Sequence, residues 1–255
     1  MLLAIDVGNT NTVFAIFDAE QMVAEWRMAT NGRRTADEYA ATLFPLLAQK
    51  GIEVKDISAA IASFVVPAAV FPIRRFCQAY FATEPLVVGE KNVKTGLKVC
   101  IDQPSEVGAD MIVNAVAAWQ RYKKAMVIID FGTATSFQVT NAKGEFVGGC
   151  IAPGINLSIE ALHMAAAQLP TVEIAAPTNV IGTNTVTAIQ SGIYYGYIGL
   201  IEGIVSRIKQ EYASDMLVIA TGGLAPLFEN ASPVIDVVEQ DLIMHGLRLI
   251  YTMNR

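Results

Sequence analysis

Two short stretches of this chain are versions of one another, and that repetition constrains the fold more than any other feature. Ile5-Asp6-Val7-Gly8-Asn9-Thr10 ends an apolar strand and turns into a second one; Ile129-Asp130-Phe131-Gly132-Thr133-Ala134 does the same 124 positions later. Each copy reads as strand, Asp-x-Gly turn, strand. Periods of 20–50 residues signal stacked repeats. A domain-sized period signals instead a duplication, two lobes built alike with pseudo-two-fold symmetry. At 255 residues the chain is long enough for each lobe to bury a core of its own.

The remaining pattern fits an α/β protein of two lobes, 1–118 and 119–255. In the first, apolar runs predict strands at Leu2–Asp6, Thr12–Asp18, Met22–Met28, Ile57–Phe64 and Leu86–Val88. Helical periodicity covers Ala36–Gln49, Ala68–Phe81 and Ala109–Tyr122. In the second, strands are expected at Ala125–Asp130, Ser136–Thr140, Glu145–Ile151, Met216–Ala220 and Val234–Val238. Helices are expected at Ser158–Gln168, Thr185–Tyr212 and Asp241–Tyr251. No low-complexity linker separates the halves.

Composition narrows the function. Apolar residues make up 53% and charged residues 16%, which argues against disorder, and the net charge of −6 argues against nucleic acid or an anionic membrane as a partner. It does not argue against ATP, because a few backbone amides and one metal ion bind phosphates locally. Cys77, Cys100 and Cys150 form no CxxC pair and no zinc spacing, so a reduced, cytoplasmic compartment is the plain reading. The N-terminus lacks the basic region of a signal peptide. Residues 188–205 are the best membrane candidate, but Gln190, Ser191 and Glu202 interrupt them, and they read as a buried helix.

The turns carry the chemistry. Gly8 lets the backbone approach a ligand without a Cβ in the way, and Asn9, Thr10, Asn11 and Thr12 offer amides and hydroxyls to phosphate oxygens. Asp6, at a strand end, suits Mg²⁺ held through water. The alternative for one copy alone is an ordinary polar hairpin. No GxxxxGK[ST] and no GxGxxG after a strand occurs. Thr221-Gly-Gly223 follows a strand and suits either a backbone lying against adenine or ribose, or a simple tight turn. Asp110, just after Gly108 at a helix start, can serve as the carboxylate that orients and deprotonates an acceptor hydroxyl, or merely stabilise the helix dipole. His163 and His245 have no nucleophile beside them and read as structural. Gly192, Gly196, Gly199 and Gly203 lie on one long helix at three- and four-residue spacing; a subunit interface and packing within the lobe both explain them.

Taken in order, these segments resemble the type III pantothenate kinase family, within the actin/sugar-kinase/heat-shock ATPase superfamily. The resemblance rests on Asp6–Thr10, Thr95–Leu97, Glu106–Asp110, Asp130–Thr135, Gly148-Gly149 with Ala152–Asn156, Ala161–His163, Asn184-Thr185, Gln190–Gly192 and Thr221–Gly223. It implies two duplicated ribonuclease-H-like lobes with an ATP cleft between them, and ATP-dependent phosphorylation of pantothenate, the first step toward coenzyme A. By the same resemblance, Asp6, Val7, Gly8, Asn9, Thr10, Asn11, Thr12 and Val13 would bind ATP, with Thr133 from the second lobe. Asp110 would be the proton acceptor, and Gly108, Ala109, Asp110, Met111 and Thr185 would line the pantothenate site. Asp130 would hold potassium or ammonium, used alongside Mg²⁺, and the working form would be a homodimer. Met111, Ile101, Gln138 and His245 stand where the family usually has arginine, tyrosine, aspartate and glutamate. These changes leave open a related acceptor, or a nucleotide-binding protein without transfer activity.

Overall fold

The computed structural model describes residues 1–166 and 169–255. They form two compact units: 1–97 with 102–121 and 242–255, and 98–101 with 122–241.

The first unit is built on a five-stranded sheet. Strands β1 (Leu2–Val7), β2 (Asn11–Asp18) and β3 (Gln21–Ala29) form an antiparallel meander, while β4 (Ala59–Phe64) and β5 (Leu86–Val87) add in parallel on the other side, in the order 3-2-1-4-5. Parallel neighbours need a crossover, here supplied by α1 (Ala36–Gln49) and α2 (Val70–Phe81). Helix α1 starts where Thr35 and Glu38 cap each other: Thr35 N–H donates to Glu38 Oε2 at 2.7 Å and Glu38 N–H to Thr35 Oγ1 at 3.3 Å. The two-residue alternation of the strands then sorts the core. Leu3, Ile5, Phe14 and Ile16 pack against Tyr39, Leu43, Ile73 and Phe76 of α1 and α2.

The opposite face, Leu2, Ala4, Ala15 and Phe17, packs with Val113 and Val116 of α3 (Ala109–Tyr122) and with Met244, Leu247 and Ile250 of α7 (Leu242–Met253). The chain therefore returns to its first sheet with its last helix, which the sequence repeat does not reveal. A Cβ on Gly246 would overlap the Val113 carbonyl oxygen and lie 2.6 Å from Val113 Cγ1. Glycine lets α7 cross α3 at backbone contact.

The second unit repeats the plan. Strands β7 (Met126–Phe131), β8 (Ala134–Thr140) and β9 (Glu145–Pro153) form the meander, with β10 (Leu217–Thr221) and β11 (Val237–Val238) parallel to β7. The order 11-10-7-8-9 matches 5-4-1-2-3 of the first sheet, so the duplication read from the turns extends to the topology. One strand is extra: β6 (Lys98–Val99) joins the edge beside β9. Helices α4 (Ile155–Ala165) and α5 (Thr185–Tyr212) cover one face, burying Ile155, Ile159, Tyr197 and Ile201 against Val127, Ile129 and Phe137. From the short α6 (Ala225–Phe228), Phe228 stacks on Phe131 with ring centroids 5.1 Å apart.

Some elements differ from expectation. Helix α4 begins three residues before Ser158, because Gly154 takes the N-cap position; its expected end at Gln168 lies outside the described residues. Only Val237 and Val238 of the expected Val234–Val238 strand pair with β10. Residues 188–205 fall within α5, but the helix is buried along one side only, and Gly192, Gly196 and Gly199 are exposed. Among the described residues, no helix is long and apolar enough to cross a membrane.

Candidate active site

Each Asp-x-Gly turn sits at the end of the central strand of its sheet. Asp6 pairs in register with Ser63 of β4, and Ser63 Oγ donates to Asp6 Oδ1 at 2.6 Å. Gly8 N–H closes the turn on Asn11 O at 3.0 Å, and a Cβ on Gly8 would stand 3.0 Å from the same oxygen. Asn9, Thr10 and Asn11 are exposed at the tip, whereas Val7, Thr12 and Val13 are buried in the first unit. Of the stretch 6–13, those three offer a ligand only backbone. Thr30, just past β3, is joined to this turn: its N–H donates to Thr10 O at 2.9 Å and its hydroxyl to Gly8 O at 2.7 Å.

The second turn is shorter, and Gly132 and Thr133 are exposed between β7 and β8. Thr133 O accepts from Gly154 N–H at 3.1 Å. Asp130, half-buried at the end of β7, pairs in register with Thr221 of β10. Gly222 has φ +91°, and a Cβ there would lie 2.7 Å from Asp130 Oδ1 and 2.8 Å from Phe131 O. The Thr221–Gly223 turn thus spends its glycine on approach to Asp130. Gln138 is buried two residues further along the face of Ser136; its Nε2 donates to Ser136 Oγ at 3.1 Å and its Oε1 has no hydrogen-bond partner among the described residues.

Asp110 opens α3. Its Oδ1 accepts from Met111 N–H at 2.9 Å, so the carboxylate folds back onto the unpaired amides of the first helical turn. Burial raises its pKa above the ordinary carboxylate range, and hydrogen bonds from the Met111 and Asp110 amides oppose that rise. A Cβ on Gly108 would overlap Asp110 Oδ1, so glycine leaves the space that the carboxylate occupies. Gly108, Ala109 and Met111 are half-buried beside it. In the second unit, Thr185 is exposed at the first turn of α5, whose N-cap Asn184 Oδ1 accepts from Thr187 N–H at 3.0 Å. It lines a groove of about 630 Å³ with Leu162, Gly182, Gly192 and Ile193.

No group of three or more His, Cys, Asp or Glu that could cage a metal occurs among the described residues. Single carboxylates at strand ends fit Mg²⁺, which takes one or two carboxylates together with phosphate oxygens and water. The histidines have structural surroundings: His163 Nδ1 lies 2.6 Å from Leu169 O, and the His245 ring meets Phe17 edge-on at 5.8 Å. Ser63 and Thr30 are not recognisable from local sequence, because each reaches its turn from another strand; Gly154 lies in the family-like segment Ala152–Asn156, but its bond to Thr133 is not readable there.

Two ribonuclease-H-like units with matching Asp-x-Gly turns place the chain in the actin/sugar-kinase fold class. Similar folds are seen in an inorganic polyphosphate/ATP-glucomannokinase from Arthrobacter (TM-score 0.52, 13% identity, covering 100% of this chain and 99% of that one). Component A of (R)-2-hydroxyglutaryl-CoA dehydratase from Acidaminococcus fermentans is also similar (TM-score 0.54, 14% identity, 98% and 96% covered).

Within that class the chain belongs to the type III pantothenate kinase family, whose model matches residues 2–207. It is 57% identical to the type III pantothenate kinase of Paramagnetospirillum magneticum, over 100% of this chain and 98% of the relative. It is 53% identical to that of Rhodospirillum rubrum, over 100% and 99%.

Proposed function

We propose that this protein transfers the γ-phosphoryl group of ATP to the hydroxyl of pantothenate, giving 4'-phosphopantothenate for coenzyme A synthesis in the cytoplasm. The observation that carries this reading is Asp110: a half-buried carboxylate, held on a helix N-terminus in a space kept open by Gly108, with its pKa raised by burial. A phosphotransferase needs such a carboxylate to accept the proton of the attacking hydroxyl. Asp6 to Val13 and Thr133 bind ATP, through the exposed amides and side chains of the two turns. Gly108, Ala109, Asp110, Met111 and Thr185 receive pantothenate. Asp130 holds a monovalent cation, potassium or ammonium, and Asp6 serves Mg²⁺ through water. Each bound cation would offset negative charge on the transferring phosphoryl group.

The working form is a homodimer. Its support is the exposed glycine edge of α5: Cβ atoms added at Gly192, Gly196 and Gly199 would meet no atom within 4 Å among the described residues. Packing within the unit therefore does not account for these glycines. Exposed Val180, Ile181 and Val186 lie beside the start of the same helix.

The test is formation of phosphopantothenate from Mg·ATP and pantothenate in potassium and in sodium buffer. Potassium-dependent turnover is expected, with kcat reduced by about 10²–10⁴ in Asp110→Asn. Full turnover by that variant would refute the assignment of Asp110, and absence of product from the native protein would refute the activity.

A further inference from the structure

Each phosphate turn is bridged by the residue that follows the third strand of its own sheet. Strand β3 ends at Ala29, and Thr30 N–H donates to Thr10 O at 2.9 Å; β9 ends at Pro153, and Gly154 N–H donates to Thr133 O at 3.1 Å. Thr10 and Thr133 hold equivalent places, each the last residue before the returning strand. The bridge is thus a property of the duplicated unit, although Thr30 and Gly154 share no local sequence.

The copies differ in what the side chain adds. A Cβ on Gly154 would overlap Thr133 O, so that bridge is backbone alone. Thr30 adds a hydroxyl, which donates to Gly8 O at 2.7 Å and lies 2.8 Å from Thr12 Oγ1. A hydroxyl has one hydrogen to give. With that hydrogen on Gly8 O, Thr12 donates to Thr30, and a relay runs from Thr12 through Thr30 to the turn. Two carbonyls of the turn, Gly8 and Thr10, are therefore drawn to one residue.

A turn that binds an anion must present N–H dipoles and keep its carbonyls engaged elsewhere, because a carbonyl oxygen facing a phosphate oxygen is repulsive. We propose that Thr30 is a positioning residue for ATP: by taking the Gly8 and Thr10 carbonyls it holds the 8–10 turn in its phosphate-accepting orientation. Thr30 acts through the turn. This inference rests on the reading of residues 6–13 as the phosphate site, so its test must separate the two.

Four proteins are compared: native, Thr30→Val, Thr30→Ser and Asp6→Ala. The readouts are KM for ATP, KM for pantothenate, and the rise in Tm caused by Mg·ATP. Valine keeps the shape and the N–H but loses the relay. Loss of the relay's hydrogen bonds should raise the ATP KM by about tenfold or more. The Mg·ATP-induced rise in Tm should shrink, and the pantothenate KM should stay near native. Serine, which restores the hydroxyl, should restore both ATP readouts. If Thr30→Val does not fold, Thr30→Ala removes the same hydroxyl without a buried methyl in its place. A valine or alanine variant with native ATP readouts overturns the proposal, as does a serine variant as impaired as valine. If Asp6→Ala loses ATP binding while Thr30→Val keeps it, only the role of Thr30 falls. If Asp6→Ala binds ATP as the native protein does, the phosphate-site reading falls and the proposal with it.

Discussion

Asp110, the proposed proton acceptor, is a single side chain whose burial works against the fold. Its folded-state pKa is raised above the ordinary 3.8, so the protonated form is the one the fold favours. That contribution is complete below the ordinary value and is lost as pH rises through the raised one. Near neutral pH the charged carboxylate is therefore a burden, and Asp110→Asn should melt higher than the native protein while losing turnover. The gap in Tm should close on acidification toward pH 3, and an unchanged Tm at pH 7 would contradict the burial argument. Gly222 makes a second case. With φ +91° and Asp130 Oδ1 at 2.7 Å from an added Cβ, Gly222→Ala combines backbone strain with a clash at the proposed cation site. Strain of that kind costs roughly 1–3 kcal/mol. Loss of activity should be steeper than loss of Tm, and the potassium requirement should rise. The candidate carboxylates themselves were legible in the sequence, because Asp6 and Asp130 end apolar runs and Asp110 lies two residues after Gly108 at a helix start. Of their supports, Ser63 and Thr30 were not singled out. Gly154 and Gly222 lay in segments that were, but without their partners Thr133 and Asp130, since packing between strands and turns brings these together and no local pattern records it.

At the scale of elements, helix α5 is the least economical part of the molecule as a single chain. It runs 28 residues from a reciprocal Asn184–Thr187 cap, and three of its glycines face open space. Each costs a helix about 1 kcal/mol relative to alanine. If the working form is the proposed dimer, size-exclusion chromatography with light scattering should find the native protein dimeric and Gly196→Leu folded but monomeric. A variant that stays dimeric would show that the glycine edge is not the interface. Element boundaries were legible where periodicity ends abruptly, as at Ala36–Gln49, Ala109–Tyr122 and Thr185–Tyr212, all matched by the helices observed. β6, a two-residue strand, was not expected at all, and the start of β11 was expected three residues early, at Val234.

At the scale of the whole molecule, the repeat disclosed two copies of one topology but not the ownership of the last helix. Periodicity marks 241–251 as helical without saying which apolar sheet face it covers. Met244, Leu247 and Ile250 are buried against the first sheet. Burying each such side chain is worth about 1.5–3 kcal/mol, a total comparable with the net stability of a domain. A chain ending at Asp241 should therefore lose the first unit. Limited proteolysis should cut within 1–97 while 122–241 resists, and equal resistance of both segments would refute this account.

The same return of the chain sets an order of events during synthesis. Residues 1–121 leave the ribosome with one face of their sheet covered by α3 but not yet by α7, which arrives only after the 120 residues of 122–241 have been made. At about 5–20 residues per second that interval is roughly 6–24 s, long compared with the folding of most small domains. Throughout it, the strip formed by Leu2, Ala4, Ala15 and Phe17 lacks its closing helix, and apolar surface left open in this way favours non-native association. The part of the molecule translated first is the part completed last.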